Sequence, residues 1–219
     1  KKMFLAGADI FRLNMSHGDH PAVEKRHKIL RDLENEFSRP ICILADLQGP
    51  KLRCGEFEGS KVRLEAGQKF CFDLAKTPGN NQRACLPHPQ IFMSVRKGDK
   101  LLIDDGKVAL EVRKASEMNI ECIVLNDGII SDKKGVNCPD SILDLAPLTE
   151  KDKEDLEFVC ALGVDWIGLS FVQRAKDVDD VKKLLNGRAG IIAKIEKPAA
   201  VEVFDEIINS SDGIMVARG

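Results

Sequence analysis

A lysine and a glutamate interrupt an otherwise apolar stretch near the end of the chain, GIIAKIEKP at 190–198. The isoleucines and the alanine predict a buried strand, and residues two apart in a strand point to the same face. Lys194 and Glu196 are therefore expected to lie side by side, with Ile195 facing away. Such a pair is either a structural ion pair or a site that holds an anionic ligand and a metal ion.

Other polar side chains are expected at the ends of the remaining apolar strands. They are Arg12, Asn14, Ser16, Asp46, Ser170, Gln173 and Arg218. Cations placed among carboxylates suit a phosphorylated substrate that is bridged by a divalent metal ion. Arginine binds phosphate as a bidentate fork and lysine as a point charge, while a glutamate oxygen suits Mg²⁺ or Mn²⁺. The whole set favours this chemistry over a purely structural ion pair.

Two regions of the chain alternate strands with helices and can position these residues. Residues 1–50 predict a strand at 9–15, a helix at 21–37 and a strand at 41–46. Residues 146–219 predict a helix capped by Thr149 and Asp152, then strands at 164–170, 190–196 and 213–217 with a single helix between each pair. The apolar positions expected to face inward on the last two helices are Val178, Val181, Leu184, Leu185, Phe204, Ile207 and Ile208.

The stretch between these two regions, residues 51–145, has a different character. Short alternating segments such as KVRLE and KFCFDL are separated by Gly, Pro and Asn turns. This pattern predicts an antiparallel all-β domain.

The alternation of strands and helices predicts a parallel sheet, and the polar strand ends favour a closed barrel over an open sheet. An open doubly wound sheet usually has a Gly-rich first loop, but the sequence contains neither G-x-G-x-x-G nor G-x-x-x-x-G-K-[ST]. In a (β/α)8 barrel the chemistry lies at the carboxyl ends of many strands. We therefore predict an α/β fold, a partial (β/α)8 TIM barrel interrupted by an inserted small all-β domain.

The composition is that of an ordinary globular protein, with 43% hydrophobic and 31% charged residues and a formal net charge of −2. The balance argues against nucleic-acid binding, and no apolar run approaches the roughly 20 residues of a membrane span. Seven cysteines stand singly without a C-x-x-C pair, which predicts reduced thiols and an intracellular location. Both ends of the sequence break off within the repeating pattern, so we expect a fragment of a longer polypeptide.

Eight segments together resemble the pyruvate kinase family in order and spacing. They are FRLNMSHG (11–18), ADLQGPKLR (45–53), LLIDDGK (101–107), KKGVNCP (133–139), LTEKDKEDLEF (148–158), DWIGLSFVQ (165–173), IIAKIEKPAAV (191–201) and SDGIMVARG (211–219). The resemblance covers essentially the whole chain, and eight collinear motifs are far more specific than any one of them. It implies a barrel with a small β lid domain, transfer of a phosphoryl group between phosphoenolpyruvate and ADP, and a requirement for Mg²⁺ or Mn²⁺.

The resemblance also implies a role for individual residues. Lys194 matches the lysine beside the transferring phosphoryl group, Glu196 matches a ligand of the divalent metal, and Arg12 matches a phosphate-binding arginine. Asn14 and His17 match residues near the nucleotide, and Arg53 and Lys134 match residues that contact the phosphates of ATP or ADP. Asp104 and Asp105 match the turn of the lid, and Gly219 matches a backbone position at the substrate carboxylate. Other interpretations remain for some of these residues. His17 can stabilise a loop, Arg53 and Lys134 can be solvated surface charges, and IDDG can be a plain hairpin turn.

One departure from the family pattern concerns potassium. Many members hold a potassium ion with Asn, Ser, Asp and Thr oxygens, and this sequence keeps the first three as Asn14, Ser16 and Asp46. Leu47 stands where those members have threonine, and leucine offers no side-chain oxygen. The chain thus resembles the potassium-independent branch of the family, and our hypothesis is that the Lys51 ammonium replaces the monovalent cation.

Two other functions stay open from the sequence. A metal-dependent lyase or aldolase acting on pyruvate-like acids would share the Glu–metal edge but would not use Arg53 and Lys134, and a truncated barrel can also serve as a noncatalytic binding protein. We expect these 219 residues alone to be inactive. The resemblance further implies that the longer protein is a homotetramer, located in the cytoplasm or in an organelle such as a plastid.

Overall fold

The computed structural model describes residues 1–16 and 19–217. The chain forms two compact units, one made of residues 1–50 and 146–219 and the other of residues 51–145. Each unit has its own hydrophobic core. Within the described residues, no helix combines the length and the apolar character needed to cross a membrane.

The first fifty residues form a strand–helix–strand unit. They contain helix α1 (Lys2–Leu5), strand β1 (Ile10–Asn14), helix α2 (His20–Phe37) and strand β2 (Cys42–Asp46). Helix α2 begins close to the predicted position because the Asp19 side chain accepts a hydrogen bond from Ala22 N (3.0 Å) and Pro21 occupies the first turn. The predicted helix and both predicted strands are therefore present, the strands slightly shorter than expected.

Residues 51–145 form short strands joined by tight turns. They contain β3 (Lys61–Leu64), β4 (Lys69–Asp73), β5 (Arg83–Cys85), helix α3 (Pro89–Ser94), β6 (Lys100–Ile103), β7 (Val108–Ala115), β8 (Asn119–Val124), β9 (Gly128–Ser131) and β10 (Val136–Asn137). One sheet has the order β10-β6-β7-β8-β4-β5 and is antiparallel except for the pair β4–β5, and β3 pairs with β9.

The prediction that residues 51–145 form an all-β domain is wrong in one respect. It contains α3 and a short 3₁₀ helix at Glu58–Ser60. Helix α3 forms because Pro89 suits the first turn of a helix, and because Ile91 and Phe92 are buried against the core of the unit. A strand with the same sequence would place these two adjacent apolar side chains on opposite faces.

The last part of the chain repeats the strand–helix alternation. It contains α4 (Glu150–Leu162), β11 (Trp166–Leu169), α5 (Ala175–Leu185), β12 (Gly190–Ile195), α6 (Pro198–Glu202), α7 (Phe204–Ser210) and β13 (Gly213–Val216). Helix α4 begins at the predicted capping box, in which Thr149 and Asp152 bond each other's backbone N–H groups. It ends at Gly163, whose φ of 78° is the left-handed conformation that glycine adopts readily.

Two details of this region differ from the sequence-based expectation. The single helix after Pro198 is two short helices that meet at Val203, so Ile207 is buried while Ile208 is 42% exposed. On α5, Val181 and Leu185 are buried but Leu184 is 48% exposed. The buried stripe of this helix is too narrow to include Leu184, which lies about 100° around the helix from Leu185.

All strands of the first unit lie parallel in one sheet of order β1-β2-β11-β12-β13. Asn14 pairs with Asp46, and Asp46 pairs with Gly168, so the carboxyl ends of neighbouring strands meet at one edge. The core beneath the sheet joins strand residues such as Ile43 and Ile191 to residues of the surrounding helices. Burial of each such aliphatic side chain contributes about 1.5–3 kcal/mol, which anchors the strands and fixes their polar ends.

Candidate active site at the carboxyl edge of the parallel sheet

Lys194 on strand β12 and Glu196 immediately after the strand lie side by side, as the alternation predicts. Ile195 is buried on the other face of the strand at 8% exposure. Lys194 Nζ lies 3.1 Å from Glu196 Oε1, and only 11% of each side chain is accessible to solvent. A cation and a carboxylate are thus held together in a largely desolvated position, where their mutual interaction is stronger than at the surface.

Asp46, at the end of β2, joins this pair to Arg12. Its carboxylate is 3% exposed and accepts a hydrogen bond from Arg12 Nε through Oδ2 (2.5 Å) and one from Lys194 Nζ through Oδ1 (3.1 Å). Gly168 on β11 provides the necessary space, because a Cβ at that position would lie 3.2 Å from Asp46 Oδ1. The structure therefore brings together Arg12, Asp46, Lys194 and Glu196, as the sequence predicts.

Asn14 and Ser16, two further residues predicted at this edge, contact each other. Asn14 Oδ1 accepts a hydrogen bond from Ser16 N at 3.0 Å, which shapes the turn that follows β1. His17, Arg218 and Gly219 lie outside the described residues.

The turn after β1 is anchored by helix α4. Lys151 Nζ donates to Met15 O at 3.0 Å and also pairs with Asp155. The buried Asp155 carboxylate lies 2.8 Å from His20 Nε2, and the His20 ring stacks on Phe158 with a centroid distance of 3.9 Å. These contacts fix both ends of the segment that carries Ser16.

Two further contacts to Lys194 and Glu196 come from residues to which the sequence gave no individual role. Ser170 Oγ accepts a hydrogen bond from Lys194 Nζ at 2.8 Å, and Phe171 N donates to Glu196 Oε2 at 3.0 Å. Ser170 was placed at a strand end by its position, whereas nothing in the sequence pattern indicates that the Phe171 backbone would bind a carboxylate. The residue that makes this contact has an unusual backbone conformation, with a φ of +58°.

The donor set at this edge fits a divalent cation that is only partly coordinated by protein. Glu196 supplies hard carboxylate oxygens, and Mg²⁺ typically takes one or two carboxylates while substrate and water complete its shell. Within residues 1–16 and 19–217 there is no group of three or more His, Cys, Asp and Glu side chains that can hold a metal ion. Glu196 therefore fits as one ligand among others, and a complete protein cage is not formed here.

Two buried cysteines are poor candidates for metal binding or nucleophilic attack. All seven cysteines of the chain are free thiols. Burial raises the pKa of Cys54 and raises that of Cys122 to about 12. Such thiols stay protonated at neutral pH and are poor nucleophiles and metal ligands.

In the unit formed by residues 51–145, Arg53 is fixed through both its backbone and its side chain. Its N–H donates to His88 Nε2 at 2.9 Å, and its Nη1 donates to Lys133 O at 2.9 Å. Burial lowers the pKa of His88, and this effect outweighs the opposite effect of the Arg53 carbonyl oxygen, which lies 3.1 Å from His88 Nε2. A neutral imidazole is the form that accepts the Arg53 N–H, so the two observations agree.

The predicted lid turn of the same unit contains Asp104 and Asp105. Asp104 Oδ1 lies 3.1 Å from Lys134 Nζ, and Asp104 Oδ2 lies 2.9 Å from Lys107 Nζ. The hydrogen bonds from Lys107 and then Lys134 lower the pKa of the Asp104 carboxyl. Asp105 is exposed. One carboxylate therefore serves two lysines, one of which is the predicted phosphate-binding Lys134.

The structure places Leu47 and Lys51 in different surroundings. Leu47 is 1% exposed, and its backbone oxygen accepts a hydrogen bond from Ser170 Oγ at 2.8 Å. Lys51 belongs to the unit of residues 51–145 and is exposed. The hypothesis that Lys51 replaces a monovalent cation remains a prediction.

Comparison with known proteins identifies close relatives over the entire chain. A family model described as "Pyruvate kinase, barrel domain" matches residues 1–219. The chain is 51% identical over 219 residues to a pyruvate kinase of Methylorubrum extorquens and 39% identical over 222 residues to one of Thermococcus litoralis, in each case covering all of this chain. It covers 46% and 47% of those relatives, respectively, so it spans about half of their length.

A solved structure shows the same fold. The crystal structure of a pyruvate kinase from Cryptosporidium parvum superimposes with a TM-score of 0.94 at 33% sequence identity. The match covers 99% of this chain and 46% of that one. Together with the barrel-domain family match, this confirms the predicted α/β barrel-type fold class.

Proposed function

This chain belongs to the pyruvate kinase family, and we propose that the protein containing it transfers the phosphoryl group of phosphoenolpyruvate to ADP. The bond between phosphorus and the enol oxygen breaks, a bond to a β-phosphate oxygen of ADP forms, and the enolate left behind takes up a proton to give pyruvate. The observation that supports this proposal best is the cluster of Arg12, Asp46, Lys194 and Glu196 at one edge of the sheet.

In this proposal Lys194 stabilises the negative charge of the phosphoryl group and of the enolate oxygen. Its ammonium is already oriented by Asp46 and Glu196 before any ligand binds, so little reorganisation is needed when charge develops in the transition state. Arg12 has a half-exposed side chain and holds the phosphate of the substrate. Glu196 would hold Mg²⁺ or Mn²⁺, which supplies additional positive charge to the substrate oxygens when bound.

We assign Arg53 and Lys134 to the nucleotide phosphates, with Asn14 and His17 near the nucleotide and Gly219 at the substrate carboxylate. The fixed Arg53 backbone and the paired Lys134 ammonium support a binding role for the first two. Residues 51–145 would then act as the lid domain, with Asp104 and Asp105 in its turn. The homotetrameric state and the cytoplasmic location remain predictions for the longer protein.

The potassium-independent branch is part of the proposal. Asn14, Ser16 and Asp46 would form the cation site in potassium-dependent members, and Asp46 here is instead neutralised by Arg12 and Lys194. This arrangement, together with an apolar Leu47 that offers no side-chain oxygen, supports activity without potassium. Lys51 is our candidate for the replacing charge.

The experiment is an ATP-formation assay on the full-length protein with phosphoenolpyruvate, ADP and Mg²⁺, with and without potassium. We expect ATP formation in both conditions, and a loss of roughly 10²–10³-fold or more in kcat for Lys194→Met. Lys183→Met, an exposed lysine on α5, serves as the control and should retain full activity. Activity only with potassium would refute the role of Lys51 and leave the kinase in place. No ATP at all would refute the kinase and favour a lyase or a binding protein.

A further inference from the structure

Phe171, immediately after β11, has a backbone conformation that aromatic residues rarely adopt. Its φ is +58°, in the left-handed region where a bulky residue is an outlier that costs free energy unless its surroundings impose it. Backbone outliers of this kind concentrate at functional sites. The strained residue lies at the carboxyl edge of the sheet, next to the candidate active site.

The left-handed conformation coincides with a contact to a functional side chain. Phe171 N donates to Glu196 Oε2 at 3.0 Å, while the other oxygen of that carboxylate faces Lys194 Nζ. The preceding residue performs the corresponding task for the lysine, because Ser170 Oγ accepts from Lys194 Nζ at 2.8 Å. Ser170 and Phe171, which follow β11, therefore hold Lys194 and Glu196, which lie two positions apart at the end of the neighbouring β12.

The loop after β2 contacts Ser170 and Phe171 and supports their conformation. Gly49 packs directly against the segment, because a Cβ at Gly49 would lie 2.8 Å from Phe171 Cδ2 and 3.0 Å from Ser170 Cβ. Gly49 N in turn donates to the buried Asp152 carboxylate at 3.0 Å, and Ser170 Oγ donates to Leu47 O at 2.8 Å. The conformation of Phe171 is thus determined by its surroundings rather than by its own preference.

We propose that Ser170 and Phe171 are positioning residues that fix the Lys194 ammonium and the Glu196 carboxylate in their working orientations. This inference rests on the proposed function, in which Glu196 is a ligand of the divalent cation. Outer-shell hydrogen bonds of this kind orient metal ligands, and their loss typically lowers metal affinity or activity by about 10–100-fold. In this proposal the left-handed conformation of Phe171 serves to hold its N–H opposite Glu196 Oε2.

The test for Phe171 compares substitutions that remove the ring but differ in backbone preference. Phe171→Asn and Phe171→Gly tolerate positive φ, whereas the β-branched Phe171→Val and Phe171→Thr disfavour it. Binding of Mn²⁺ to the full-length protein, without substrates, is followed by the electron paramagnetic resonance of the free ion. We expect affinity within about threefold of wild type for Asn and Gly, and a loss of about 10–100-fold for Val and Thr.

The test for Ser170 uses a different readout. Ser170→Ala should lower kcat by roughly tenfold or more with little change in Mn²⁺ affinity, and Ser170→Thr, which keeps the hydroxyl, should recover most of the loss. Thermal unfolding of every variant identifies a general loss of stability. Equal loss of Mn²⁺ affinity in all four Phe171 variants, or no loss in any, would overturn the proposal. Because Mn²⁺ binding is measured without turnover, the result is distinguishable from a failure of the ATP-formation assay.

Discussion

At the scale of single residues, the most informative feature is that every N–H donor of the Lys194 ammonium faces an acceptor. An ammonium has three N–H donors, and Lys194 Nζ faces three acceptors: Asp46 Oδ1, Ser170 Oγ and Glu196 Oε1. A flexible four-carbon side chain is thereby held in a single orientation, at 11% exposure. The positive charge is fixed in place before any substrate arrives, as electrostatic stabilisation of a transition state requires.

His27 leads to a prediction about pH. It is a buried residue of α2, and its Nε2 has no hydrogen-bond partner among the described residues. Burial and the nearby Arg31 lower the pKa of His27, against the opposite effects of the Gly163 carbonyl and of Asp165. Above the ordinary histidine pKa of about 6.5 the residue is neutral in both states. As the pH falls below that value, the unfolded chain takes up a proton first, and stability decreases by at most about 1.4 kcal/mol per pH unit.

Urea unfolding at pH 7.5 and pH 5.5 tests this expectation. We expect His27→Leu to reduce the loss of stability between the two pH values, because leucine has a similar size and no proton to bind. The pKa of His88 is also lowered by burial, so at least one other described histidine contributes in the same direction. Only the difference between variant and wild type therefore reports on His27. An identical pH dependence in both proteins would contradict the prediction.

The residues of the site were predictable to different degrees. The period of two in a strand was sufficient to pair Lys194 with Glu196, and the parallel arrangement was sufficient to bring Asp46 and Arg12 to the same edge. The role of Phe171 was not predictable, because a positive φ at a phenylalanine is imposed by tertiary contacts such as Gly49. Local propensity in the sequence disfavours that conformation.

At the scale of secondary-structure elements, aspartates next to two strands perform the same task. Asp165 precedes β11 and accepts a hydrogen bond from Ile43 N of the neighbouring strand at 2.7 Å. Asp212 precedes β13 and accepts one from Ile191 N at 2.9 Å. Burial would raise the pKa of Asp212, but its hydrogen bonds with Ile191 N and Lys182 outweigh this and lower it. Each aspartate secures the register between its own strand and the neighbouring one.

The turn between β6 and β7 gives a prediction for nucleotide binding. Asp104, Asp105 and Gly106 have consecutive positive φ values of 52°, 57° and 83°, and the turn holds Asp104 between Lys107 and Lys134. If Lys134 binds nucleotide phosphate, Asp104 competes with that phosphate for the same ammonium. We expect Asp104→Asn to lower the KM for ADP by about two- to fivefold, in line with the strength of a partly exposed ion pair.

Asp105→Asn is the matched control for this prediction. It removes one negative charge from the same turn, and asparagine tolerates the left-handed conformation as well as aspartate does. Asp105 is exposed and forms no ion pair with Lys107 or Lys134 among the described contacts, so the KM for ADP should change little. A higher KM for Asp104→Asn would show that Asp104 positions Lys134 and does not compete with phosphate. Equal effects of both substitutions would indicate a general effect of charge.

Elements were predicted best where two local signals agree. Helix α4 has a capping box at its start and a glycine at its end, and it was placed correctly. Helix α3 was missed because its six residues are too short to show a helical period. The break at Val203 was missed because no proline or glycine marks it in the sequence. The surroundings of Val203 separate α6 from α7.

At the scale of the whole molecule, the chain contains two cores that depend on different parts of the sequence. The parallel sheet needs both of its segments, because β2 from the first segment pairs with β11 from the second. The sheets and the core of residues 51–145 are formed within that segment. The two ends of that segment are held together by hydrogen bonds of 3.0 Å from Cys54 N to Lys134 O and from Val136 N to Leu52 O. An inserted domain of this kind can be removed without opening its own structure.

We therefore expect residues 51–145 to fold when they are produced alone. Their core includes fully buried residues from most strands of the unit, among them Phe70, Leu101 and Val112. Within the described part of the chain, their sheets contain no strand from outside the unit. The excised domain should give a dispersed amide NMR spectrum and a cooperative urea transition. Residues 1–50 alone are the control and should remain unfolded, because β2 then lacks its partner β11. An unfolded 51–145 would show that its core needs the rest of the chain, and would contradict this prediction.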